Sequence, residues 1–190
     1  MKRAGIEIIR TLEDCDQLME RVRAAASLTQ RLWMSAQSGD PLDILFRMKF
    51  QASGFDPIDH SPLNLVEQIN QTWTYVAAIT AARLLIGWHP EAGGFHLAPG
   101  AHAAQALDIM SVAPGLVGAE VFAAVDPENN KKLAKDLMKL AEQPETHRYV
   151  FFMSPLYPGT KERPQLEKHG IKVWSVDLTA SAAAVRDTHV

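Results

Sequence analysis

Apolar residues along this chain recur first with a helical period and then with a strand period, and the change falls near residue 90. Leu12 to Trp33 places Leu12, Cys15, Leu18, Met19, Val22 and Ala26 at steps of three and four, the stripe of an amphipathic helix. Glu13, Asp14 and Asp16 load its first turn with negative charge, which suits the positive end of the helix dipole. A second short helix is predicted from Pro41 to Lys49, with Asp40 as N-cap and Pro41 at the first helical position. Residues 1–50 therefore read as helical throughout. The run from Ser53-Gly54 through Ser61-Pro62 is dense in breakers and makes a natural boundary. A helical segment over 1–60 is thus expected to precede an α/β domain over 61–190.

After that boundary, Leu65, Ile69, Trp73, Val76, Ile79 and Ala82 to Leu85 keep a wide apolar face, predicting a long helix from Asn64 to Trp88. Gly87 and His89-Pro90 stop it. Strands are then expected at Phe95–Leu97, Ala106–Val112 and Leu116–Val125, with Pro114 and Gly115 marking a turn before the third. Asp126-Pro127-Glu128 predicts a helix start, and Leu133, Leu137, Leu140 and Ala141 carry that helix to about Glu142. Tyr149 to Met153 is a continuous apolar run, as expected of a strand covered on both faces. A short helix over Lys161–His169, closed by Gly170, and a last strand over Ile171–Val176 complete the pattern; from Leu178 the tail reads as helical or frayed. The predicted core is helix, three-stranded meander, helix, strand, helix, strand.

Composition changes this picture little. Of 190 residues, 47% are hydrophobic and 22% charged, close to globular averages, so the chain can bury a real core. A formal net charge of −3 demands no polyanionic partner, though a local basic face can sit inside an acidic total. A single cysteine, Cys15, excludes an intramolecular disulfide and a cysteine-rich zinc site. Met1 to Ile9 is too short and interrupted for a signal peptide, and Tyr75 to Trp88, broken by Arg83, is too short to span a bilayer. A cytoplasmic location is the expectation.

Chemistry enters with two acids. Glu120 is a lone carboxylate in an apolar strand, and Asp108 sits one strand earlier between Leu107 and Ile109-Met110. A carboxylate in a central strand is costly unless it is paired or binds a metal. Two acids joined by a turn can approach across a sheet, and such pairs hold Mg²⁺ together with water and phosphate oxygens. The alternative is that each acid ends a strand, solvated or bonded to a backbone amide.

This order of elements, with Asp on the second strand and Glu on the third, resembles the PD-(D/E)XK nuclease superfamily, the restriction-endonuclease-like fold. Leu107-Asp108-Ile109, Ala119-Glu120-Val121-Phe122-Ala123-Ala124-Val125, Asn129-Asn130-Lys131-Lys132-Leu133 and Lys135-Asp136 are similar to a branch of bacterial proteins with that fold. The resemblance spans about residues 64–178. It implies Mg²⁺ or Mn²⁺ on Asp108 and Glu120, with the Val121 carbonyl as a further ligand and Glu67 of the preceding helix assisting. It also implies a nucleic-acid phosphodiester as substrate. The lysine expected two residues after the third-strand acid is absent, and Phe122 stands there. That lysine would orient the attacking water and offset phosphate charge, which phenylalanine cannot do. Two readings follow: Lys131 or Lys132 has taken over the role from the next helix, or the site has decayed into one that binds nucleic acid or a protein partner.

Lys131, Lys135 and Lys139 recur every four residues, with Lys132 beside them, and suit either a phosphate-tracking ridge or a solvated helix face. His89, His96 and His102 lie close in sequence without a familiar zinc spacing on one helix, and are expected to be neighbours by chance. Gly93-Gly94 through Gly100 lacks a phosphate-loop ending, and Ser111 and Ser154 lack a nucleophile-elbow context. Trp33, Trp73, Trp88 and Trp174 are expected in core or interface, and Cys15 as buried and inert. A homodimer joined through the N-terminal helices is a further expectation.

Overall fold

The computed structural model describes residues 5–34, 39–99 and 105–177. Nine strands and four α-helices occur among them: β1 (Glu7–Ile9), α1 (Leu12–Met34), α2 (Pro41–Phe50), β2 (Gly54–Phe55), β3 (Pro62–Leu63), α3 (Leu65–Trp88), β4 (Phe95–Leu97), β5 (Ile109–Ser111), β6 (Val117–Ala123), α4 (Lys132–Ala141), β7 (His147–Met153), β8 (Lys161–Glu162) and β9 (Lys172–Ser175). Seven strands form one mixed sheet in the order β1-β4-β5-β6-β7-β9-β8, and β2 pairs with β3 alone. β4, β5 and β6 are an antiparallel meander, whereas β6, β7 and β9 run parallel. Helix α4 makes the crossover between β6 and β7.

Two cores lie on the two faces of this sheet. On one face, Val117, Ala119 and Val121 of β6 and Phe151 and Met153 of β7 pack against α3, which in turn packs on α1. The middle of α3 is buried largely as alanine, including Ala77, Ala78, Ala81 and Ala82, which lets the helix fit between α1 and the sheet. On the other face, Phe122, Val150, Phe152, Ile171 and Val173 meet Leu133, Leu137 and Leu140 of α4. Each fully buried large side chain contributes roughly 1.5–3 kcal/mol. Gly118 of β6 faces α4's side, where a Cβ would come within 2.5 Å of Leu107 Cδ1 and 2.9 Å of Glu145 Cγ. The close approach of those side chains is what requires glycine.

Asp40 caps α2 by accepting from Leu42 N at 2.8 Å, and Asn64 caps α3 by accepting from Glu67 N at 2.8 Å. On α1 the buried stripe is Cys15, Leu18, Met19, Val22, Ala25 and Thr29; Leu12 is exposed and Ala25 takes the inward place expected of Ala26. β1 departs from the all-helical reading of residues 1–50. Three residues are too few to show a period, and the open edge of β4 decides their conformation by pairing with them. Arg21 of α1 ties the strand down, with Nη1 and Nη2 3.0 and 3.1 Å from the Glu7 carboxylate.

Two further elements differ from expectation. α4 begins at Lys132 rather than Pro127, because Asn130 and Lys131 adopt left-handed φ of 53° and 56°. The Asp126 side chain accepts from Glu128 N at 2.9 Å and so starts a turn, not the helix. The short helix expected over Lys161–His169 is instead β8 and a single 3₁₀ turn at Pro164–Leu166. That segment has no apolar stripe to bury, Pro164 interrupts it, and Lys161 and Glu162 pair with the edge of β9. β5 and β6 are shorter than the strands expected at 106–112 and 116–125. The tail from Leu178 lies outside the described residues. Among those described, no helix is long and apolar enough to cross a membrane.

Candidate functional site

The antiparallel register of β5 and β6 sets Ile109 opposite Ala119 and Met110 opposite Gly118. Asp108 lies just outside this ladder, one residue before the start of β5. Asp108 and Glu120 are nearly enclosed, at 7% and 3% exposure. β5 has ended by this point, so Val121 N–H lacks a backbone partner on that side, and it donates to Asp108 Oδ2 at 2.8 Å. A residue's N–H and C=O leave a strand on the same side, so the Val121 carbonyl also faces the Asp108 edge. The Glu120 side chain lies toward α4, where Lys139 Nζ donates to its Oε1 at 2.7 Å.

α4 supplies a second ion pair beside the first. Lys132 Nζ donates to Asp136 Oδ1 at 2.6 Å and also stands 5.6 Å above the centre of the Phe122 ring. Asp136 is 3% exposed, and its Oδ2 has no hydrogen-bond partner. Burial pushes its carboxyl up to about 6; the Lys132 amine opposes that rise and the Glu120 charge adds to it. The two lysines remain roughly half exposed, at 45% and 42% for their side chains. Their stems cover buried acids while their amines reach water, so this arrangement holds carboxylates inside without desolvating both partners. Glu145, 5% exposed against Gly118, adds another buried carboxylate, with an unpartnered Oε2.

Phe122 follows Glu120 by two residues in β6. It is 5% exposed and stacks on Phe152 with ring centroids 5.9 Å apart. Two amines come from α4, and they belong to Lys132 and Lys139. Lys131 precedes the helix in a left-handed conformation, so the expected ridge Lys131-Lys135-Lys139 does not continue through it. Lys135 is exposed. Glu67 sits in the first turn of α3, its carboxylate accepting from the Asn64 side-chain Nδ2 at 3.3 Å. Asp108, Glu120 and Glu67 do not converge as three ligand atoms; the one such group among the described residues is His89, Glu91 and His147, whose ligand atoms all lie within 4.8 Å of one another. A hollow of 350 Å³ opens at the carboxyl ends of β6 and β7, lined by Ile69, Asn70, Trp73 and Thr74 of α3 and by Ala123 to Val125.

Asp136 is not among the site residues singled out from the sequence; its place between Leu133 and Leu137 on the inward stripe of α4 is the signal that could have found it. The grouping of His89 with His147 has no such signal, because β7 brings it from far along the chain; His96 lies in β4 and His102 is outside the described residues. Ser111 Oγ donates to Ala113 O at 2.6 Å within a turn, and Ser154 Oγ to Val125 O at 2.7 Å, tying the end of β7 to the segment after β6. Cys15 is fully buried, and burial raises its thiol to about 11, which makes it inert. Comparison with family models, curated proteins and solved structures returns no match.

Proposed function

We propose that this chain is a restriction-endonuclease-like phosphodiesterase acting on DNA or RNA with Mg²⁺ or Mn²⁺, its missing strand lysine replaced from α4. The observation that carries this reading is the 2.7 Å contact between Lys139 Nζ and Glu120, whose neighbour Val121 donates its N–H to Asp108. The element order α3, β4–β5–β6 meander, α4, β7 supports it, as does the strand order β4-β5-β6-β7, in which β5 runs against the other three. The donor set is all oxygen (two carboxylates and the Val121 carbonyl), which suits a hard cation. Asp108 and Glu120 would hold the ion, and it would supply Lewis-acid stabilisation of charge developing on a phosphate oxygen.

The chain's own groups have separate tasks in this scheme. Val121 N–H fixes the Asp108 carboxylate. Lys139 offsets the Glu120 charge and, being half exposed, can turn its amine to a phosphate. Lys132, anchored by Asp136, stands over Phe122 and presents a second cation at the position where the strand lysine would project. Glu67, engaged at its helix cap, is a supporting residue at most.

A second reading, a nuclease-fold protein that binds nucleic acid or a protein partner without cutting, is favoured by one observation. Phe122 packs into the apolar layer where a strand lysine would stand. A cleavage assay on single- and double-stranded DNA and RNA with Mg²⁺ or Mn²⁺ separates the two. The expected result is cleavage by the wild type and a loss of at least roughly a hundredfold in Glu120→Ala. No cleavage by the wild type, or unchanged cleavage by the variant, removes the catalytic reading. Steeply salt-dependent DNA binding in a non-cleaving protein would then assign the second.

A further inference from the structure

At the opposite end of the β6–β7 pair, beside the first residue of β7, lies a cluster that the acid site does not use. His89 caps the C-terminus of α3, Glu91 is in the 3₁₀ turn that follows, and His147 opens β7 opposite Val117. We propose that His89, Glu91 and His147 form a binding site for a late first-row divalent cation of the Zn²⁺ class, separate from the acid pair. Two imidazoles and one carboxylate are a donor set that such ions prefer and that Mg²⁺ does not.

The geometry is nearly assembled. One ligand atom from each residue lies within 4.8 Å of the others. Bond lengths of about 2.0–2.2 Å in a tetrahedral site put ligand atoms roughly 3.3 Å apart. The remaining contraction falls to Glu91, which is exposed, and His147, which is partly exposed; both can change rotamer. His89 is the fixed member, 7% exposed and held at both ring nitrogens. Its Nδ1 lies 3.1 Å from Glu91 Oε1 and its Nε2 2.8 Å from the Tyr149 hydroxyl. In the loaded site Nδ1 turns from the carboxylate to the ion that both then share. Nε2–H keeps its bond to Tyr149, which selects the tautomer and orients the ring as outer partners of metal-bound histidines do. The His147 ring already lies against His89, with centroids 4.5 Å apart. Three protein ligands leave a fourth position open. The ion would clip the α3–β4 connection to β7.

Titration calorimetry of the full chain with Zn²⁺ tests this. The wild type is expected to bind one ion through this cluster, with affinity unchanged by millimolar Mg²⁺. His147→Ala and Glu91→Gln are each expected to weaken binding by at least roughly tenfold, and Tyr149→Phe by a similar factor through ring orientation. Glu91→Gln alters an exposed side chain, so it keeps the test decisive should His147→Ala fail to fold. Absence of Zn²⁺ binding by the wild type overturns the proposal, as does wild-type affinity in Glu91→Gln or in a folded His147→Ala. Competition by Mg²⁺ at equal strength overturns the assignment of ion class. Cleavage activity plays no part in the readout, so the outcome is independent of the function proposed for Asp108 and Glu120.

Discussion

Strand β6 presents two faces built on opposite principles. Val117, Ala119, Val121 and Ala123 look toward α3 and pack into the apolar core on that side. Gly118, Glu120 and Phe122 look toward α4, where acids and amines share the space with leucine and phenylalanine. The helices explain the difference. α3 is 24 residues long and is itself covered by α1, so nothing charged on that face could reach water. α4 is ten residues long with one side open, so Lys132 and Lys139 can lean over its edge, neutralise the acids beneath and keep their amines wet. The same strand therefore tolerates a carboxylate on one face and not on the other.

The most damaging way to break this comparison is to put an acid on the dry face. Ala119→Asp places a charge with no amine in reach under α3, and is expected to cost about 4 kcal/mol in urea unfolding. A loss below about 1 kcal/mol would show that this face is as accommodating as the other. Next in size, Lys139→Ala uncovers Glu120 and should cost about 2 kcal/mol, less than a fully enclosed pair because water can follow the departed amine. A double-mutant cycle with Glu120→Gln should return a clear favourable coupling; a coupling near zero would mean the two groups are neighbours only in geometry.

The smallest effect is a pH signature. The Asp136 carboxyl is raised from 3.8 to about 6, so the folded state holds that proton more tightly than the unfolded chain. Its contribution to stability is fully present below the unfolded value and is lost as pH rises through the folded one. Between about pH 4 and about pH 7, wild type should lose on the order of 1–2 kcal/mol relative to Asp136→Asn. Parallel stability curves for the two proteins would show that Asp136 titrates as an ordinary surface acid.

Much of this layout is legible in the amino-acid sequence. The periodicity of α1 and α3, the Asp40 cap and the breakers around residue 90 are local signals, and they place those elements to within a residue or two. Local signals mislead where a partner matters more. Asp126-Pro127 looks like a helix start, but left-handed Asn130 and Lys131 delay α4 by a turn. Lys161 and Glu162 take their extended form from β9, and β1 takes its form from β4. For the candidate site, Asp108 and Glu120 stand out as acids among apolar neighbours, and Phe122 is noticed only through the resemblance that implies a lysine there. Which amine serves Glu120 does not stand out, since Lys131, Lys132, Lys135 and Lys139 look alike in sequence.

By itself the sequence determined the three helical stretches α1, α2 and α3, the change to strands after residue 90 and which acids would be out of place among apolar neighbours, because period and composition act within a few residues. Only the tertiary structure decided that Lys139 rather than Lys131 meets Glu120, that Asp136 is buried behind Lys132, and that His147 reaches His89 and Glu91. Those contacts join residues from different elements, and they depend on the register of β5 on β6, the start of α4 and the crossover into β7, each set by packing between segments rather than by any segment alone.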